Sequence, residues 1–99
     1  MTVYFGSLGG TVYALDARTG RELWKFESAA GVASSMAAAD GLVLFGTTRG
    51  LQALDARTGQ ARFEFVTNRT VSAPPAASEG LLYFGSWDGT LYAVRPSPR

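Results

Sequence analysis

The chain has no cysteine and no histidine among its 99 residues. Without cysteine there can be no disulfide, thiolate metal site or thiol nucleophile. Without histidine the commonest general base and the commonest metal ligand are gone as well. An excess of either charge is also missing. The net charge is +1, and the nine basic residues, eight of them arginine, are scattered along the chain. A nucleic-acid partner is therefore not expected, because phosphate binding calls for a clustered basic surface. No run approaches the ~18–20 apolar residues of a membrane helix, so no membrane span is expected. A helical period with caps is absent too. The alanine-rich stretch 31–40 invites a helix, but its counterpart later in the chain carries Pro74-Pro75, which a helix interior does not accept. With 46% apolar residues the chain should nonetheless fold.

What the chain does have is an internal repeat. Tyr4-Phe5-Gly6-Ser7, Leu44-Phe45-Gly46-Thr47 and Tyr83-Phe84-Gly85-Ser86 are three copies of one motif. Ala14-Leu15-Asp16-Ala17-Arg18-Thr19-Gly20 recurs as Ala53-Leu54-Asp55-Ala56-Arg57-Thr58-Gly59, and Ala93-Val94-Arg95 begins the run again. Trp24 matches Phe63, Phe26 matches Phe65, Val32 matches Val71, and Asp40-Gly41 matches Glu79-Gly80. One deletion near Leu51 accounts for the change of register between the copies. A period of this length marks stacked supersecondary units. The units run 1–30 (partial), 31–69 (complete) and 70–99 (truncated). Thr2-Val3-Tyr4-Phe5 matches the middle of a unit, so a truncated piece of a longer chain is expected.

Within each unit, short β-prone runs alternate with glycine-bearing turns, the pattern of antiparallel hairpins. Strands are predicted over 2–7, 11–16, 21–27, 31–38, 42–47, 51–55, 61–66, 71–77, 81–86 and 90–95. Asp88-Gly89 is a two-residue hairpin signal, Gly9-Gly10 fits the same slot, and Arg49-Gly50 fits it less well. Ala17-Arg18-Thr19-Gly20 suits a longer loop closed by a glycine at positive φ. Asp16 and Asp55 open these loops, where a carboxylate accepts N–H groups two residues ahead. Val3-Tyr4-Phe5 and Leu42-Val43-Leu44-Phe45 do not alternate apolar with polar, so both faces of those strands should be covered. Small residues fill 31–38, whereas Trp24 and Phe26 enlarge 21–27. That taper fits sheets arranged radially, narrow at the hub and broad at the rim: an all-β fold of β-propeller blades.

The run Ala14-x-Asp16-x-x-Thr19-Gly20-x-x-x-Trp24 resembles the tryptophan-docking motif of the pyrroloquinoline-quinone (PQQ)-like propeller repeat. The copy Ala53, Asp55, Thr58, Gly59, Phe63 departs from it only in having Phe for Trp. The resemblance implies four-stranded antiparallel blades, an open arc of a ring that commonly has eight, and an extracytoplasmic, periplasmic setting in bacteria. It also implies that the Trp packs between the turn glycine of its own motif and the alanine of a neighbouring blade. Those roles would fall to Trp24, Gly20 and Ala53, with Phe63, Gly59 and Ala93 as the second set. Trp87-Asp88 spells the dipeptide of the tryptophan–aspartate repeats, but it falls in a hairpin turn and no Gly-His pair accompanies it.

No chemical constellation emerges, and no catalytic, cofactor or metal residue is assigned. Asp16 and Asp55 hold the same slot in successive units, which favours loop capping over paired acid–base work. Arg18 and Arg57 read as solvated turn residues. The glycines of Phe5-Gly6-Ser7-Leu8-Gly9-Gly10 have the wrong spacing for a phosphate loop. Asn68-Arg69-Thr70 fits a glycosylation pattern in a loop. Trp87 has no aromatic equivalent at Leu8 or Thr48, so it either anchors a partner or lies on the neighbouring turn. Three functions remain open: a non-catalytic propeller that binds proteins, resembling assembly lipoproteins or sensor propellers; a piece of a quinoprotein dehydrogenase without its site; or a repeat fragment with no role of its own. Such dehydrogenases add a vicinal cysteine pair, acidic calcium ligands and a catalytic Asp, none of which can be assigned here. Uncovered apolar flanks predict either self-association or dependence on missing blades.

Overall fold

A computed structural model describes residues 2–7, 9–67 and 69–95. Met1, Leu8, Asn68 of the glycosylation pattern and residues 96–99 lie outside the described residues. Ten strands follow in order: β1 (Thr2–Gly6), β2 (Thr11–Asp16), β3 (Glu22–Glu27), β4 (Ala37–Ala39), β5 (Leu42–Gly46), β6 (Gly50–Asp55), β7 (Ala61–Val66), β8 (Ala76–Ser78), β9 (Leu81–Gly85) and β10 (Leu91–Val94). All pairings are antiparallel between sequence neighbours. They form three sheets, β1-β2-β3, β4-β5-β6-β7 and β8-β9-β10, and the described residues contain no helix. These are blades, one four-stranded and two three-stranded, stacked face against face.

The long strands predicted over 31–38 and 71–77 shrink to the three-residue β4 and β8. In the first of these stretches, a side chain takes over from the ladder. Ser34 Oγ accepts the Gly46 N–H at 2.7 Å, and only Val32 bridges to Thr47. In the second, Pro74 and Pro75 have no N–H to give. The other strands lie within a residue or two of their expected ends.

The hairpin turns are built locally, with one correction. The Gly9-Gly10 and Asp88-Gly89 turns are three-residue loops rather than two. Ser7 N–H bonds Thr11 O while Gly10 N–H returns to Ser7 O, and Ser86, Gly89 and Thr90 repeat the pattern. The last loop residue is then a left-handed glycine, at φ 98° for Gly10 and 89° for Gly89. Between β5 and β6 the loop is one residue shorter, since Thr47 N–H bonds Gly50 O. This is where the deletion in the repeat falls. Thr47 Oγ1 steadies the shorter turn by accepting both Arg49 N–H and Gly50 N–H at 3.0 Å.

Two apolar clusters join the sheets. Val12, Ala14, Trp24, Val43, Phe45 and Leu54 lie between the first and second sheets. Leu44, Leu51, Ala53, Val71, Leu82 and Phe84 lie between the second and third. In each sheet, one face presents Tyr4, Val12 and Ala14 or their equivalents, joined by Trp24 in the first sheet and Phe63 in the second, and the other presents Val3, Phe5 and Leu15 or theirs. Both interfaces set the first kind of face on the second. β5 is covered on both sides, as its unbroken apolar run predicts, and so is β6. The same expectation fails for Val3-Tyr4-Phe5 in β1, where Val3 is 44% and Phe5 43% exposed because no described sheet lies on that face. The taper is present as well. β4 at one edge is Ala-Ala-Ala, while Trp24, Phe26, Phe63 and Phe65 line β3 and β7 at the other.

Candidate functional site

The site begins with a loop that folds on itself. After β2, the Asp16 carboxylate accepts Arg18 N–H at 2.8 Å, and Gly20 N–H closes on Asp16 O at 2.8 Å. Thr19 Oγ1 accepts Arg21 N–H at 3.2 Å. The loop after β6 repeats each contact. Asp55 accepts Arg57 N–H at 2.8 Å and Thr58 N–H at 3.2 Å, Gly59 N–H bonds Asp55 O, and Thr58 Oγ1 accepts Gln60 N–H. The side chains conserve the turn between units because each satisfies backbone donors that the tight turn would otherwise strand. Gly20 and Gly59 close their loops at φ 75° and 78°, where a side chain is disfavoured.

Onto the second loop comes a side chain from the first unit. The Trp24 indole is 8% exposed, and its Nε1–H donates to Ala56 O at 2.9 Å. Its ring lies flat on Gly59, so close that a Cβ there would sit 2.5 Å from Cδ2. Ala14, the cross-strand neighbour of Trp24, and Tyr4, with its ring centroid 5.9 Å away, complete the seat. The loop is braced from behind, since Ala56 N–H bonds Gly41 O at 2.9 Å. A bulge between Ala14 and Leu15, repeated between Ala53 and Leu54, shifts the register where the aromatic residue stands.

The docking geometry corrects the partners that the resemblance implied. Trp24 docks on Gly59 of the following unit, not on Gly20 of its own; nothing lies within 4 Å of the Cβ position at Gly20. Ala53 belongs to the opposite face of the second sheet, in the other cluster, and the alanine beside Trp24 is Ala14. In the second set, Phe63 pairs with Ala53 across β6–β7 and packs against the second cluster. Ala93 pairs with Tyr83 on the exposed face of the third sheet, so it does not receive Phe63 either. The positions matching Ala56 and Gly59 fall within 96–99, outside the described residues. Sequence reasoning missed Ala56 because its bond to Trp24 is made by a backbone carbonyl, which every residue has.

The carboxylates are occupied in turns. Asp55 is held below the usual carboxylate range, first by the Arg57 and Thr58 N–H groups, with Arg62 at 3.4 Å adding a weaker attraction. Asp88 is held low chiefly by the Tyr92 hydroxyl, which donates to it at 2.8 Å. A carboxylate stabilised as the anion is a poor general acid at neutral pH. Among the described residues no three Asp or Glu side chains converge. Trp87 is 63% exposed, yet its backbone N–H bonds Thr70 O and its Nε1–H bonds Ser72 Oγ, both at 2.9 Å. It thus lies along the entry to its own blade.

Comparison with known proteins agrees with the blade geometry. The family model described as outer membrane protein assembly factor BamB matches residues 2–97. No curated relative matches the chain. BamB from Moraxella catarrhalis superposes with a TM-score of 0.85 and 28% identity over 96% of this chain and 30% of that one. A quinohemoprotein alcohol dehydrogenase from Pseudomonas putida gives 0.81 and 27% over 96% of this chain and 17% of that one. The computationally designed Ika4 protein gives 0.81 at 23% identity, over 97% of this chain and 61% of that one, a likeness of fold alone. The chain thus spans less than two thirds of each. Blades that stack front to back through a tryptophan seated on the next unit's loop, together with the match over 2–97, place this chain in the PQQ-like β-propeller repeat family described by assembly factor BamB.

Proposed function

We propose that this chain is a non-catalytic propeller segment that serves as a protein-interaction scaffold in a bacterial cell envelope. The observation that carries the reading is how the polar side chains are used. Asp16, Asp55, Thr19, Thr58 and Asp88 bind backbone N–H groups in their own turns. The residues left over are apolar surface and rim charges such as the Arg49–Glu64 pair at 2.8 Å. Such a surface suits contact with another polypeptide better than it suits bond-making chemistry. Trp87 is the residue through which a partner would be met first, since its indole is held by Ser72 yet stays largely exposed, and so supplies a large ordered contact area at little further entropic cost.

The second reading, a segment of a quinoprotein dehydrogenase, draws on the likeness to the alcohol dehydrogenase. The quinone and its calcium do not fit the residues present. The chain has no cysteine pair, and among the described residues the carboxylates are not grouped as hard-cation ligands. One experiment tests the scaffold reading. The chain is incubated with pyrroloquinoline quinone and calcium, desalted, and examined by absorbance. The scaffold reading expects no retained quinone, and stoichiometric retention would refute it. A photo-crosslinking residue at Trp87 should then capture a discrete envelope protein in cells, and the same residue at Lys25 should not.

A further inference from the structure

The two interfaces inside the molecule are one interface used twice. The face bearing Val12, Ala14 and Trp24 covers Val43, Phe45 and Leu54, and the face bearing Leu51, Ala53 and Phe63 covers Leu82, Phe84 and Val94. Each contact is therefore head to tail. The outer surfaces are the unused halves of the same contact. On the first sheet, Val3 is 44% and Phe5 43% exposed, whereas their equivalents Val43 and Phe45 are 0% exposed. On the third sheet, Leu91 is 76% exposed, whereas its equivalent Leu51 is 0% exposed.

An aromatic detail marks the receiving face. Phe84 and Tyr92 stack at 5.2 Å, and Phe65 of the preceding unit meets both rings edge-on at 5.6 and 5.4 Å. On the first sheet, Phe5 and Tyr13 form the same stack at 5.1 Å, and among the described residues no ring from another sheet lies on it. The third sheet turns outward Tyr83, Leu91 and Ala93, the counterparts of Leu44, Leu51 and Ala53, and among its described residues none matches Phe65.

We propose that the 99-residue chain assembles with a second copy of itself, head to tail, by seating Tyr83, Leu91 and Ala93 of one copy on Val3, Phe5 and Leu15 of the next. A second copy is the occupant because each outer face is the counterpart of the surface the other lacks, and because the contact continues an interface the molecule already makes twice. Such an interface is heterologous, so it links different patches and leaves one of each kind free at the ends. This inference is independent of the scaffold reading.

Two single-face variants test it by sedimentation velocity, with near-ultraviolet circular dichroism to verify packing. Phe5→Glu blocks one face and Leu91→Glu the other. The wild-type chain should grow in mass as its concentration rises from micromolar to millimolar. Each variant alone should stay monomeric, with its self-association weakened at least tenfold. Mixed in equal amounts, they should form a dimer and stop there, because the Leu91 face of the first still fits the Phe5 face of the second. If Phe5→Glu unfolds the first sheet, Val3→Lys on the same face replaces it. A dimer of Leu91→Glu alone would reveal a symmetric contact and overturn the proposal. A monomeric mixture would do the same. So would a wild-type chain that stays monomeric throughout, and its faces would then be left to further blades of a longer chain or to another protein.

Discussion

Alanine at Gly59 should destabilise the chain several times more than alanine at Gly20, although the two glycines hold the same place in successive loops. Both have left-handed backbone, at φ 75° and 78°, and a side chain in that region costs about 1–2 kcal/mol. At Gly20 nothing further is lost, because no atom lies within 4 Å of the new methyl group. At Gly59 the methyl would sit 2.5 Å from Trp24 Cδ2 and 2.6 Å from Cε3, so the indole has to withdraw. Overpacking of that kind costs about 1–3 kcal/mol. Withdrawal also stretches the 2.9 Å bond from Nε1 to Ala56 O, worth about 1 kcal/mol. The expected losses are about 1–2 kcal/mol for Gly20→Ala and about 3–6 kcal/mol for Gly59→Ala. Urea unfolding followed by tryptophan emission reads this at one fixed protein concentration, in a Trp87→Phe background that removes the exposed indole. In a Trp24→Ala background, where no tryptophan remains and far-ultraviolet circular dichroism replaces emission as the readout, the penalty at Gly59 should shrink to that at Gly20. Equal penalties at the two glycines with Trp24 present would refute the docking assignment.

Other outcomes follow from equivalent positions in different surroundings. Gly46→Ala should cost about 3 kcal/mol or more, because its methyl would overlap the Val71 carbonyl, whereas Gly85→Ala, at the same slot with open space, should be neutral or mildly stabilising. Thermal melts of the pair decide it. Glu79 sits at φ 52° in the two-residue turn where the other unit has Asp40, and Glu79→Asn should add about 0.5–1 kcal/mol; a lower melting temperature would count against the turn geometry. Asp55 has a lowered folded pKa, so its contribution is complete above the unfolded carboxylate pKa of about 3.9 and fades as pH falls through the lower folded value. Asp55→Asn should flatten the acid limb of a stability–pH curve below about pH 4, while an unchanged limb would remove Asp55 from that role.

Much of this was legible because it is local. Asp16 and Asp55 capping their loops, glycines at the left-handed turn positions, and the repeat itself all follow from neighbours a few residues apart. β2 and β7 fall where their patterns begin and end. The failures are also instructive. The runs 31–38 and 71–77 look extended, but a ladder needs backbone N–H groups paired with backbone carbonyls; Ser34 Oγ takes the Gly46 N–H in place of a backbone carbonyl, and Pro74 and Pro75 have no N–H to give. The docking partner of Trp24 was misassigned within the motif because a glycine receptor is defined by what leans on it.

Sequence alone determined the unit, its hairpins and the alternation of bulky and small strands, since these rest on steric preferences of short segments. Tertiary structure alone decided that Trp24 crosses to Ala56 and Gly59 rather than folding back on Gly20. It also decided that equivalent leucines end up 0% exposed at Leu51 and 76% at Leu91. The repeat makes such residues alike in chemistry. Burial differs because it is a property of the neighbouring sheet, and only the central sheet has a neighbour on both sides.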